Sequence, residues 1–149
     1  MQEGKPRIRQ LGLDDYDELL ALWQRAGLHS LRPRGRDSRA SLARQLASGV
    51  QTILGAEVDG QLVGAVVATH DSRKGWINRL AVDPDHRRQG HGARLIAAAE
   101  KALREQGIPV IAALVESGNI ASLALFQKTG YVEIDTGIHY LTKRDSDDA

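Results

Sequence analysis

The chain has 149 residues with 20 basic and 19 acidic side chains, a net charge of +1, and no cysteine. That balance gives no overall attraction to nucleic acid, and the missing cysteine excludes disulfides, thiolate catalysis and cysteine metal sites. No stretch reads as a bilayer span or a signal-like leader, so the expectation is one cytoplasmic domain over residues 1–149 with no membrane or nucleic-acid partner.

Residues 7–11 alternate and predict a short first strand, which opens a core expected to run from 7 to 142. Asp14, Asp15 and Asp17 are acids suited to a helix N-terminus. Tyr16, Leu19, Leu20 and Trp23 then share one helical face, so a first helix is expected to about Ala26, with Gly27 as its stop. Residues 29–39 hold Arg32, Arg34, Arg36 and Arg39 and one proline. They read as a solvated loop. A second helix is predicted over 38–47.

Residues 52–58 and 61–69 are two β-rich runs separated by Asp59-Gly60, a strong hairpin signal. With the strand predicted over 76–82 they make an antiparallel meander. Asp83-Pro84-Asp85 is turn chemistry, with the proline fixing φ. A third helix is expected over about 90–106, with Gly107 past its end and Pro109 beyond. Residues 110–115 are continuously apolar, as for a strand buried on both faces, and should run parallel to the preceding one through a right-handed crossover. Asn119 is a good N-cap for a fourth helix ending at Gly130. Residues 131–135 and 138–142 read as two final antiparallel strands joined by Thr136-Gly137, followed by a disordered, charged tail over 143–149. The fold class is therefore a mixed α/β sheet of about seven strands, mostly antiparallel, with strands 4 and 5 parallel and four helices around it.

The chemistry concentrates between Leu80 and Leu95. The strand end Leu80-Ala81-Val82 is followed by Arg87, Arg88, Gln89, Gly90, His91, Gly92 and Ala93, which open the third helix. A helix start presents unpaired N–H groups and the positive end of the dipole. Glycines let an anion approach that backbone, so the segment reads as a phosphate or pyrophosphate seat. A Walker loop is excluded because Gly-Lys-Ser/Thr is absent. A dinucleotide loop would need a third glycine where Leu95 stands. The remaining alternative is a strand-to-helix loop with solvated arginines.

Arg87-x-x-Gly90-x-Gly92, after Leu80-Ala81-Val82-Asp83-Pro84, resembles the pyrophosphate loop of the GCN5-related N-acetyltransferase (GNAT) superfamily. The stretch from Asn119 through Ala121, Leu125, Phe126 and Lys128 to Gly130-Tyr131 resembles that family's second motif, in the family's order and spacing. The resemblance covers most of the chain. It implies acetyl-CoA as co-substrate, no metal, and an amine acceptor, either a small molecule or a peptide; a homodimer is left open. It places the pantetheine arm along Leu80–Val82 by main-chain strand addition and the pyrophosphate on the amides from Arg88 to Ala93. Asn119 would help hold the cofactor arm, a role compatible with capping. The resemblance also implies that residues 29–39 help form the acceptor cleft, where some of Arg32, Arg34, Arg36 and Arg39 would bind an acidic or carboxylate-bearing acceptor.

Two positions depart from the family. Where many members carry a tyrosine proton donor stands Phe126, and where some carry a glutamate base stands Leu114. Glu116, two residues on, is the candidate base, and Tyr140 or His139 the candidate donor, with Tyr131 as a further choice that also reads as core. Asn78 is a candidate polar contact in the cleft. His29, His70, His86, His91 and His139 lack metal-ligand spacing. Two functions follow: an N-acetyltransferase acting by direct attack in a ternary complex, or a non-catalytic CoA-binding module.

Overall fold

The computed structural model describes residues 6–134 and 137–149. Asp59 and Gly60 both take positive φ, 51° and 78°. That is the turn whose twist matches paired strands, and it joins β2 (Gln51–Val58) to β3 (Gln61–His70). β1 (Arg7–Gln10) flanks β2, and β4 (Gly75–Val82) flanks β3, all antiparallel. β5 (Ile111–Ala113) lies parallel to β4, giving one sheet in the order β1-β2-β3-β4-β5.

β3 is buried from Leu62 to Ala68 because helices cover both faces of the sheet. α1 (Tyr16–Arg25) and α2 (Arg39–Ala47) bring Leu19, Leu22, Trp23 and Leu42 onto Ile53, Leu62, Ala65 and Val67. On the other face, α3 (His91–Glu105) sets Leu95, Ile96, Ala99 and Leu103 against Ala56, Val58, Val66 and Ile77. α4 (Ile120–Lys128) adds Phe126 to that layer. A Cβ at Gly64 would stand 2.9 Å from Leu95 Cδ1, so the missing side chain is what lets α3 lie this close to the sheet. Ser38 caps α2 and Asn119 caps α4 through their side-chain oxygens, as their residue types predict.

The sheet departs from expectation on its β5 side. Pairing of β4 with β5 covers only Gly75↔Ile111, Trp76↔Ala112 and Ile77↔Ala113. Past Ile77 the β3–β4 register shifts, and Arg79 takes a positive φ of 51°, a bulge that bends β4 out of line with β5. β5 is therefore three residues long and half-buried, not a six-residue strand covered on both faces, and Val110 and Leu114 are exposed. The seven expected strands become five among the described residues. Residues 131–134 and 137–142 carry no strand, and Val132, Ile134, Ile138 and Leu141 are exposed. Asp135 and Thr136 lie outside the described residues. A three-residue edge offers too little ladder to hold a hairpin that is marginal alone.

Candidate functional site

The divergence of β4 and β5 opens a cleft of about 2100 Å³. Its floor is the end of β4, including Asn78, Leu80, Ala81 and Val82, and one wall is the start of α3. Beyond Ile77 the side of β4 that faces β5 has no ladder partner among the described residues. An extended chain with amide groups can add there as a strand would.

The loop from β4 to α3 is held from within. Asp83 is buried; its carboxylate accepts from the Asp85 N–H at 2.9 Å and from Arg25 Nε at 3.1 Å. The backbone donor, then Arg25, holds its pKa below the usual carboxylate range. Arg87 Nε donates to Val82 O at 3.3 Å, and Arg94 Nη1 to Gln89 O at 3.1 Å. Arg87 of the loop and Arg94 of α3 thus tie carbonyls at the two ends of the loop as well as adding charge, while Arg88 is exposed.

Arg88 and Gly90 take positive φ, 65° and 84°. Gly90 is the N-cap of α3 and contributes no capping side chain. The first helical bond of this turn runs from Arg94 N to Gly90 O at 3.2 Å, so the amides that open this fifteen-residue helix, Gly92 and Ala93 among them, precede its first i→i−4 bond and sit at the positive end of its dipole. His91 is buried beneath them with Nε2 at 3.2 Å from Gln89 Oε1. A Cβ at Gly92 would meet Leu125 Cδ2 at 2.7 Å, so this glycine also admits α4. An uncapped helix start behind a left-handed glycine, facing an open cleft, fits a diphosphate.

Leu80, Ala81, Val82, Arg87, Arg88, Gly90, His91, Gly92, Ala93, Glu116, Asn119, Phe126 and Tyr140 line this cleft, whereas Gln89 and the alternative donors His139 and Tyr131 do not. Gln89 instead serves the loop through its carbonyl and side chain. Asn119 Oδ1 accepts from Ser122 N at 3.2 Å. Phe126 is buried edge-on to Tyr131, with centroids 5.1 Å apart. Glu116 is exposed, in the turn before α4, and its carbonyl accepts from Asn119 N. Strand alternation does not place it, because pairing ends at Ala113. Tyr140 is exposed and lines the same cleft. Tyr131 is turned away: its hydroxyl donates to Glu100 Oε2 at 2.9 Å, and burial, then Glu100, pushes its pKa up. Among the described residues no group of three or more His, Asp or Glu is placed to hold a metal, and no helix is long and apolar enough to cross a membrane.

The arginine segment divides. Arg34 is exposed and pairs with Asp148 at 2.9 Å, outside this cleft. Arg36 and Asp37 line the cleft, together with Trp23 and Arg79. Asp37 and Arg79 form a buried ion pair at 2.9 Å, and the Arg79 guanidinium lies 5.2 Å from the Trp23 ring centroid. Sequence reasoning missed Arg79 and Asp37. The available signal was a charge on the strand face that alternation gives to Ile77 and Ala81.

Residues 14–131 match the model of the acetyltransferase (GNAT) family. An acetyltransferase of Sodalis glossinidius is 34% identical over 137 residues, 92% of this chain and 94% of that protein. An acetyltransferase of Yersinia pseudotuberculosis is 34% identical over 129 residues, 87% of this chain and 89% of its own. The PaiA N-acetyltransferase of Thermoplasma acidophilum, solved with coenzyme A, shares the fold with a TM-score of 0.77 at 22% identity, over 90% of this chain and 94% of that one. With both motifs on one cleft and likeness along nearly its whole length, the chain belongs to the acetyltransferase (GNAT) family.

Proposed function

We propose that this protein is a single-domain, acetyl-CoA-dependent N-acetyltransferase that moves the acetyl group to a primary amine by direct attack in a ternary complex. One observation carries the reading: the uncapped start of α3, behind left-handed Gly90, opens onto the same cleft as the unpaired edge of β4. The amides of His91, Gly92 and Ala93, with Arg88, would hold the diphosphate, and the main chain of Leu80–Val82 the pantetheine arm. Bound there, acetyl-CoA supplies an activated thioester.

In the transfer the amine nitrogen bonds to the acyl carbon, the carbon–sulfur bond breaks, and the amine loses a proton while the thiolate gains one. An alkylamine with a pKa of about 10 must first be neutral, and Glu116 on the cleft rim is the base this chain offers. Backbone N–H groups of the β4 bulge would meet the negative charge that develops on the acyl oxygen. Tyr140 is the donor nearest in kind to the missing tyrosine, and a thiolate leaves with little acid help.

Phe126 favours a second reading. A phenyl ring cannot protonate the thiolate, and a CoA-binding module without turnover would need no donor there. Thiol release from acetyl-CoA over a panel of primary amines separates the two, and the absence of cysteine leaves no background from the protein. Turnover on any amine supports the transferase; coenzyme A binding without turnover across the panel supports the module.

A further inference from the structure

We propose that the acceptor is an amine bearing a carboxylate, an amino acid in the simplest case, and that Arg79 and Arg36 bind that carboxylate in the cleft. The proposal rests on the transferase reading above and adds the acceptor's chemical class. Burying a guanidinium is costly unless its donors are met. The Arg79 side chain is 16% exposed, and one of its donors, Nη2, reaches Asp37 Oδ2 at 2.9 Å. Its Nη1 is buried and has no hydrogen-bond partner among the described residues.

Asp37 does not neutralise its surroundings. The same Oδ2 also accepts the Arg32 N–H at 2.7 Å, and Arg32 and Arg36 both stand close enough to push the Arg79 pKa down, behind the larger effect of burial. Two further guanidinium groups, of Arg32 and Arg36, therefore stand near the Arg79–Asp37 pair. Arg36, exposed on the same cleft, donates to Ser30 O at 3.0 Å and to Ala149 O at 3.4 Å. A second carboxylate would meet the orphaned Nη1 with one oxygen, a charge-assisted hydrogen bond beside the one that Nη2 already makes to Asp37.

The position fits an acceptor. Arg79 is the bulge residue of β4, immediately before the Leu80–Val82 stretch assigned to the acyl donor. Lys143 and Arg144 line the same cleft, so a polycationic amine would meet like charge.

The test is thiol release from acetyl-CoA with each of the twenty amino acids, its carboxamide, and spermidine. At least one amino acid is expected to exceed its own carboxamide tenfold or more in kcat/KM. Arg79→Gln should collapse that ratio towards one by raising KM for the acid, with KM for acetyl-CoA unchanged. Because Arg79→Gln strands Asp37, the exposed Arg36→Gln is the companion variant; it should reduce the same ratio in a fully folded protein. Turnover that favours carboxamides or spermidine overturns the carboxylate site and leaves acetyl transfer standing. If no amine turns over, transfer fails instead, and thermal melts of the CoA-loaded protein decide the anion site. N-acetyl amino acids should then raise the melting temperature and their amides should not; equal shifts, or none, overturn the proposal.

Discussion

Replacing Gly90 by alanine probes the diphosphate seat with one methyl group. Gly90 sits at φ +84°, and an L-residue there costs about 1–2 kcal/mol. The added Cβ would stand 3.2 Å from Arg94 Nη1, the mobile end of a side chain, so the conformational cost dominates. If the loop keeps its shape, that cost appears as a melting temperature lower by roughly 2–8 °C. If φ instead relaxes to negative values, the amides of His91, Gly92 and Ala93 turn, and the affinity for coenzyme A falls by about 5–30-fold. Gly107 supplies the matched control. It has φ +83° with nothing within 4 Å of its Cβ, just past the far end of α3, so Gly107→Ala should lose similar stability and no affinity. Calorimetric titration with coenzyme A, beside thermal melts of both variants, reads the two effects separately. Unchanged affinity in a folded Gly90→Ala that also keeps its melting temperature, or an equal loss of affinity in Gly107→Ala, would refute the assignment.

Leu95 is fully buried between α3 and the sheet, so Leu95→Ala should cost about 2–5 kcal/mol in a urea melt. Asp83→Asn should destabilise by about 1.5–3 kcal/mol at pH 7, the scale of a hydrogen bond to a charged group. Because the folded-state pKa of Asp83 lies below its ordinary value, its contribution is present above pH 4 and disappears as pH falls through the depressed pKa; melts of both proteins from pH 7 down through pH 3 should therefore converge. Glu116→Gln should lower kcat about 100-fold or more without changing KM for acetyl-CoA, the size expected of a general base. An unchanged kcat would remove Glu116 from the site. Tyr140→Phe in the same assay tests the proton donor.

Local chemistry alone determined a good part of this protein. Asp59-Gly60 specifies a tight turn because few dihedral pairs close a hairpin, and Ser38 and Asn119 cap helices because their short oxygens reach back to the first turn. The helix start at Gly90 was legible for the same reason, since the positive φ and the bared amides are properties of a few consecutive residues. Packing between distant segments decided the rest. The bulge at Arg79 comes from the register of β4 on β3, and it sets both the short length of β5 and the width of the cleft. The pairing of Arg79 with Asp37 joins residues 42 apart, and the space at Gly92 is filled by Leu125 of another helix. An apolar run such as residues 110–115 states a wish to be covered; only the neighbouring strands determine how much of it finds cover. The pattern along a chain records what each residue tolerates locally, whereas a site is made where two such segments meet.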